Sequence, residues 1–150
     1  MKHFTAMAAT LALFLGGAAQ AQAAFLYATS QLRSKPSIWL VNTTANTSSL
    51  LFNLAQNPDS FVFTPDGNIV YTALDVGQVR LLNTKTLKDT LLASGFNTPL
   101  DLTLDPGGTT VLVSSFGNGF IERIDLSTHK GTCLAGPTAE KQGFFACESW

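Results

Sequence analysis

Charged residues are scarce in this chain. They make up 13% of its 150 residues, the formal net charge is −1, and the lysines and arginines are scattered singly. No positive field is therefore available to steer the protein onto nucleic acid or an anionic membrane surface. The composition excludes a nucleic-acid-binding function and argues against membrane association of the mature chain.

Histidine is nearly absent, with His3 and His129 as its two copies. We expect His3 to be removed with an export signal and His129 to lie in a surface turn. A Ser-His-Asp triad is therefore not expected, and no glycine-rich phosphate-binding motif leads into a helix. The sequence leaves catalysis open but favours a protein that is not an enzyme.

Cysteine is limited to Cys133 and Cys147. No second cysteine pair or histidine cluster accompanies them, so a zinc-type metal site is not expected. In an oxidising compartment we predict a disulfide between them, which would close a loop of about 15 residues and add roughly 3 kcal/mol of stability. Two unpaired thiols are the alternative.

The first 23 residues have the three parts of a secretory signal. A short charged start precedes an apolar stretch from Phe4 to Ala19, and small residues follow. They offer A-x-A cleavage choices after Ala21 or after Ala23. A bilayer span takes about 20 apolar residues, so a membrane anchor is disfavoured. The sequence predicts an extracytoplasmic protein, secreted or periplasmic.

A period of about 41 residues runs through the rest of the chain. Residues 57–73 align with 98–114, so that Pro58 falls on Pro99 and Gly67 on Gly108. Residues 77–83 match 119–125 at a spacing of 42, which predicts one extra residue in the loop before the third strand. Toward the N-terminus, residues 38–42 match residues 79–83 at a spacing of 41. Several registers with the same turns indicate an internal repeat.

Each repeat is predicted to contain four short strands. In the middle unit, alternating Phe61 and Phe63 mark the first strand, and Thr-Pro-Asp-Gly at 64–67 marks a tight turn. Strands at 69–73, 79–83 and 89–93 follow, and no helical period is present outside the signal. Four antiparallel strands repeated every 40 to 45 residues are typical of β-propeller blades, so we predict an all-β propeller fold.

The motif residues also resemble a known family. The pattern N-P-x-x-x-x-F-T-P-D-G-N-x-V-Y-T-A at 57–73, followed by G-x-V-x-L-L-N-T-K-T at 77–86, is similar to the repeat of the YVTN/YncE-like β-propellers. Lactonase-like, gluconolactonase-like and NHL-type propellers share it more loosely. The family hallmark Y-V-x-N is present only approximately, as Tyr71-Thr-Ala-Leu74. For an exported chain the resemblance implies a binding module more often than an enzyme.

The predicted organisation is a signal peptide at 1–23 and three blades, at about 24–58, 59–99 and 100–136, with a tail at 137–150. Closed propellers typically use four to eight blades. Three explanations for the small number of blades are open. The chain is a truncated copy of a longer protein, or two chains form a homodimer that completes a six-bladed ring, or the arc stands alone with residues 137–150 covering an edge.

The resemblance places ligand sites where the loops between blades converge over a central channel. We predict six ligand or metal candidates there, and the same loops contain Arg33 and Lys35. The candidates are Asn57, Asp59, Asp75, Asn97, Asp101 and Asn118. Asp and Asn oxygens suit Ca²⁺ or another divalent ion, although Asn and Asp are also common in loops because they cap turns.

Two functions follow as expectations. The first is an exported, non-enzymatic propeller that binds a protein, a glycan or a small molecule. The alternative is a fragment or half of a metal-dependent, gluconolactonase-like lactonase, in which one carboxylate acts as the base.

Overall fold

The computed structural model describes residues 24–30 and 34–136, and these residues are almost entirely β-strand. Eleven strands follow one another, with one short 3₁₀ helix at Leu74–Val76. The strands are β1 (Phe25–Ser30), β2 (Ser37–Asn42), β3 (Thr47–Asn53), β4 (Pro58–Phe63), β5 (Ile69–Ala73), β6 (Gln78–Asn83), β7 (Lys88–Ser94), β8 (Pro99–Leu104), β9 (Thr110–Ser115), β10 (Phe120–Asp125) and β11 (Gly131–Ala135).

The strands form three antiparallel sheets in chain order. The first contains β1-β2-β3, the second β4-β5-β6-β7 and the third β8-β9-β10-β11, each strand pairing with the next. The inner strands β4 and β8 contact each other, so neighbouring sheets lie side by side. The predicted all-β fold is confirmed, and its sheets are arranged as consecutive propeller blades.

The first sheet has three strands among the described residues, whereas four were predicted for every unit. Its strands β1, β2 and β3 correspond to β5, β6 and β7 of the second sheet, because β2 pairs on both sides as β6 does. A strand equivalent to β4 would begin 41 residues before Pro58, and that position lies outside the described residues. The inner edge of β1 therefore has no strand beside it in the described part of the chain.

The structure corrects the position of the extra residue in the third unit. Phe63 pairs with Ile69, and Leu104 pairs with Val111, so the first hairpin turn is one residue longer in the third sheet. The connections before the third strands, 74–77 and 116–119, have equal length. The prediction of a longer loop there was wrong, because the two adjacent threonines at 109 and 110 fit either register.

The outer hairpins share one turn chemistry. Asn42, Asn83 and Asp125 each end a third strand, and each side-chain oxygen accepts the backbone N–H groups two and three residues further on, at 2.8 to 3.0 Å. Such Asx hydrogen bonds replace ladder partners that the turn residues lack. The repeat therefore turns in the same way three times.

Two hydrophobic cores join the sheets, one in each space between neighbours. We call the face of a sheet that looks toward the preceding sheet its upstream face, and the opposite one its downstream face. Ile69 and Leu82 on the upstream face of the second sheet pack against Ile38 of the first sheet. On its downstream face Val70 and Val79 pack against the third sheet. The second sheet is thus buried on both sides, and every residue of β5 is buried.

Several predictions concern residues outside the described ranges. The signal peptide at 1–23 and the tail at 137–150 belong there, and so does Arg33. Cys133 lies on β11, but Cys147 is outside the described part, so their pairing stays a prediction. Within residues 24–30 and 34–136, no helix is long and apolar enough to cross a membrane.

Candidate functional site

All six predicted candidates lie at one end of the sheets, which we call the loop end. It is the end where β4 and β8 begin and where β5 and β9 finish, because Pro58 pairs with Ala73 and Pro99 pairs with Ser115. The candidates precede the inner strands, occupy their opening residues or follow the second strands. These positions are Asn57 and Asn97, then Asp59 and Asp101, and then Asp75 and Asn118.

A cavity of about 440 Å³ opens at the loop end between the first and second sheets. Two of the predicted candidates, Asn57 and Asp75, line it together with Gln56 and Ser34. Leu54, with Pro36 and Ala55, completes the wall. The cavity thus combines amide, carboxylate and hydroxyl groups with a smaller apolar surface.

Asn57 lines this cavity, and its side chain contains a buried polar atom of an unusual kind. Its Oδ1 atom is buried and has no hydrogen-bond partner among the described residues. A buried acceptor without a donor costs about 1–3 kcal/mol of stability. Such a group is more often found with a partner.

A buried polar network fixes the chain segment that forms the cavity wall. Tyr71 Oη donates to Asp89 Oδ2 at 2.6 Å, and Arg80 Nε donates to Asp89 Oδ1 at 2.9 Å. The same carboxylate accepts the backbone N–H of Ala55 at 2.8 Å. Tyr71 Oη in turn accepts the backbone N–H of Gln56 at 3.3 Å. The residues just before Asn57 are therefore anchored to the second sheet.

The network also determines the charge state of its members. Burial raises the pKa of the Tyr71 phenol, and the hydrogen bond to Asp89 and the charge of that carboxylate raise it further. The phenol therefore remains a neutral donor and does not serve as a base. The ion pair between Arg80 and Asp89 is almost fully covered, with side-chain exposures of 13% and 10%.

Asp101 is used in a contact between neighbouring inner strands. Its Oδ1 accepts a hydrogen bond from the Ser60 hydroxyl at 2.6 Å, and Ser60 lies at the equivalent position of β4. Its backbone N–H donates to the Ser114 hydroxyl at 3.1 Å, as the backbone N–H of Ser60 donates to the Thr72 hydroxyl at 3.0 Å. Asp101 thus links the second and third sheets at the loop end.

The loop-end residues of the third sheet have turn contacts. The Asn97 carbonyl accepts the backbone N–H of Gly117 at 2.9 Å, and Asn118 Oδ1 accepts the backbone N–H of Phe120 at 3.3 Å. The Asn97–Gly117 bond ties the connection before β8 to the connection after β9, and the Asn118–Phe120 bond joins that second connection to the start of β10. For Asn118 the structure supports the turn-capping interpretation.

The acidic side chains of the described residues do not come together as a divalent-ion site. In the described part of the chain, no three His, Cys, Asp or Glu side chains come together in a group that could hold a metal ion. Of the six candidates, Asn57 and Asp75 share one cavity, and both have side-chain oxygen atoms that could act as metal ligands. Lys35, predicted in the same loops, is exposed.

Sequence reasoning missed the residues that position this site. Tyr71 and Arg80 were taken as strand residues, and Asp89 as the opening of a fourth strand. Position 89 did contain a signal, because the equivalent residue of the third unit is Gly131. A carboxylate that appears in one repeat and not in its neighbour indicates a contact made by that unit alone.

The comparisons with known proteins support the fold and leave the family open. The crystal structure of a nidogen/laminin complex contains a chain that is similar to this one, with a TM-score of 0.58 and 16% sequence identity. The match covers 71% of this chain and 41% of that chain, so this chain spans less than half of the matched one. No protein-family model matches, and no curated protein matches. At this identity the likeness supports a β-propeller-like fold.

Proposed function

We propose that this chain is an exported, non-enzymatic β-propeller module of the YVTN/YncE-like type that binds a small, hydroxyl-bearing ligand such as a saccharide. The ligand occupies the loop-end cavity between the first and second sheets. The observation that carries the proposal is this cavity of about 440 Å³, lined by Asn57 and Asp75. Preformed clefts of a few hundred cubic ångströms are typical small-molecule sites, and the mainly polar wall of this one favours a polar ligand.

The polar groups of the cavity suit hydroxyl groups. Asn57 lines the cavity, and an amide side chain can both donate hydrogen bonds to the O–H groups of a sugar and accept them. Asp75 and Gln56 add further hydrogen-bonding groups, and Leu54 adds an apolar contact. The wall is already fixed by the Tyr71–Asp89 hydrogen bond, so little ordering has to accompany binding.

Thermal shift and calorimetric titration with glucose, N-acetylglucosamine and maltose test this proposal. A sugar at ten times its dissociation constant should stabilise the folded chain by about 1.4 kcal/mol. Asn57→Ala should weaken binding by about tenfold or more. Asn118→Ala is the matched control, since that side chain caps a turn outside the cavity. No stabilisation by any of the sugars, or equal losses in both variants, would contradict the proposal.

The lactonase alternative is tested separately. Calcium titration of the mature chain and a hydrolysis assay with simple lactones should both give no signal. Lactone turnover that depends on calcium and disappears in Asp101→Ala would replace the binding proposal with the enzymatic one. Asp101→Asn serves as the companion variant, because it retains an acceptor for the Ser60 hydroxyl.

Export is supported by the N-terminal sequence pattern. Expression of the full chain in a bacterial host with a periplasm should yield a processed protein that begins at Gln22 or Ala24, as measured by intact mass and N-terminal sequencing. Recovery of unprocessed chain beginning at Met1, confined to the cytoplasm, would contradict this part of the proposal.

A further inference from the structure

The downstream face of the third sheet is apolar and open to solvent. Ile121 and Leu134 are each 44% exposed on it, and Leu112 is half-buried between them and the inner strand. A shallow cavity of about 220 Å³ lies on the same face, lined in part by Leu112 and Ile121. No described residue covers this surface.

The equivalent surface of the second sheet is fully covered. Ile121 pairs with Ala135 as Val79 pairs with Ala93, so Ile121 and Val79 occupy the same place in the repeat. Val79 is 0% exposed, because the third sheet packs against it. The downstream face of the third sheet thus has the composition of an interface between sheets but no neighbouring sheet among residues 24–30 and 34–136.

The upstream face of the first sheet is the counterpart. Leu26 is 57% exposed on it. Leu26 pairs with Val41 as Ile69 pairs with Leu82, so Leu26 occupies the place of Ile69, which is 0% exposed. Each end of the arc therefore exposes one half of the contact that joins its own sheets.

We propose that the downstream face of the third sheet packs against the upstream face of the first sheet of a second copy. Within the chain, both cores are made by a downstream face against an upstream face. A second copy offers the missing partner for both ends at once, and the two contacts are related by a two-fold axis. The product is a ring of six sheets, which lies within the range of closed propellers.

Polar residues on the downstream face are compatible with this contact. Ser114 occupies the place of Thr72, whose hydroxyl donates to the carbonyl of Leu100 in the next sheet at 3.0 Å. Arg123 occupies the place of Leu81, which lines an open groove between sheets at the end opposite the loop end. An arginine there can pack its stem in the groove and extend its guanidinium into solvent.

Sedimentation of the processed full chain tests the inference. At about 100 µM, where a contact with a micromolar dissociation constant is saturated, the mass should be that of two chains. Ile121→Asp and Leu26→Asp should each weaken association by about a hundredfold, because each buries a charge in the contact. Leu87→Asp is the control, since Leu87 is 66% exposed in an outer turn, away from both faces.

A mixture of the two interface variants identifies the pairing. If a downstream face binds an upstream face, one of the two contacts in a mixed dimer contains no substitution, so the mixture should associate more tightly than either variant alone. A pair that used two downstream faces would be insensitive to Leu26→Asp. A mass of one chain at all concentrations, an open-ended series of larger species, or no gain on mixing would overturn the inference. Circular dichroism of each variant verifies that it is folded.

These measurements are independent of the saccharide proposal. Association is read without ligand, and the cavity with Asn57 lies within one chain. A monomer that binds sugar would contradict the association of two copies alone. A dimer that binds no sugar would contradict the saccharide proposal alone.

Discussion

Asp125 takes a position in the third sheet that asparagine occupies in the two sheets before it. Its carboxylate accepts hydrogen bonds from the Ser127 hydroxyl and from the backbone N–H groups of Ser127 and Thr128. The Ser127 hydroxyl first, and the backbone groups after it, lower the pKa of Asp125 from 3.8 to about 2. Asn42 and Asn83 make the same backbone bonds without a charge.

Asp125→Asn should therefore change the free energy of unfolding at acid pH and have little effect at neutral pH. Because the folded-state pKa of Asp125 is below its unfolded value, its contribution is present above about pH 4 and lost as the pH falls toward 2. The asparagine variant should match the wild type at neutral pH and lose less stability between pH 4 and 2. Urea unfolding at several pH values measures this. Asn83→Asp is the reverse control, and parallel pH profiles for all three proteins would contradict the expectation.

The carboxylate of Asp89 has more partners than the phenol of Tyr71, so the two substitutions should differ in cost. Tyr71→Phe removes the donor to Asp89 and the acceptor of the Gln56 backbone N–H, and it should cost about 1–2 kcal/mol of unfolding free energy. Asp89→Ala leaves Tyr71 Oη, Arg80 Nε and the backbone N–H of Ala55 without their acceptor. It should cost about 3 kcal/mol or more. Denaturant unfolding compares the two, and equal losses would show that the network contributes no more than a single hydrogen bond.

The candidate site was partly accessible to sequence reasoning. Asn57 and Asp75 were predicted because the family resemblance places ligand sites in the loops between blades, and the two residues line one cavity. The Tyr71–Asp89 contact joins residues 18 positions apart on strands β5 and β7, which are not adjacent in the sheet. Repeat alignment identifies equivalent positions, but it carries no information about which long side chains meet across a strand.

At the scale of the strand and its turn, two equivalent glycines differ in their surroundings. Gly67 and Gly108 end the first hairpin turns of the second and third sheets, with φ of 82° and 67°. A Cβ atom on Gly67 would meet nothing within 4 Å, whereas one on Gly108 would lie 2.4 Å from Pro65 Cγ of the preceding sheet. The turn of the third sheet therefore packs against its neighbour as well as reversing the chain.

Alanine substitutions at these glycines should separate backbone strain from packing. Gly67→Ala should cost about 1–2 kcal/mol, the penalty of a left-handed conformation for a residue with a Cβ atom. Gly108→Ala carries the same penalty and also forces Pro65 to move, so its cost should be larger by at least about 1 kcal/mol. Thermal unfolding of both variants gives the comparison. Equal costs would mean that the turn moves away from Pro65 without loss.

Short strands and turns followed from the sequence because their chemistry is local. Pro and Gly at 65 and 67 predict the turn wherever it occurs, and alternation predicts which faces are buried. The position of the extra residue in the third unit did not follow, because Thr109 and Thr110 both suit the end of a turn and the start of a strand. Only cross-strand pairing of Leu104 with Val111 decides it.

The last strand provides a test of the predicted disulfide. If Cys133 on β11 pairs with Cys147 in the oxidised protein, its intact mass should be 2 Da below that of the reduced chain. Reduction should lower stability by roughly 3 kcal/mol, the value expected for a closed loop of about 15 residues. Cys147→Ser should unfold like the reduced wild type. Two titratable thiols in protein purified under oxidising conditions would contradict the pairing.

At the scale of the whole molecule, burial decreases from the middle sheet toward both ends. Among the described residues, the second sheet packs on both faces, whereas the first and third each pack on one. The same repeat position is therefore fully buried as Val79 and 44% exposed as Ile121. Sequence cannot distinguish these two cases, because both positions are apolar and only the presence of a neighbouring sheet differs.

This difference in burial predicts how the stability cost of a substitution at each position depends on protein concentration. Val79→Ala should cost about 2 kcal/mol at any protein concentration, because its core lies within one chain. Ile121→Ala should cost little in dilute solution and progressively more as the protein is concentrated, since two-chain association stabilises the folded state by mass action. Thermal midpoints of the wild type and both variants, measured over a hundredfold range of concentration, give the comparison. If the midpoint of Ile121→Ala stays parallel to that of the wild type throughout, the downstream face of the third sheet is not buried between copies.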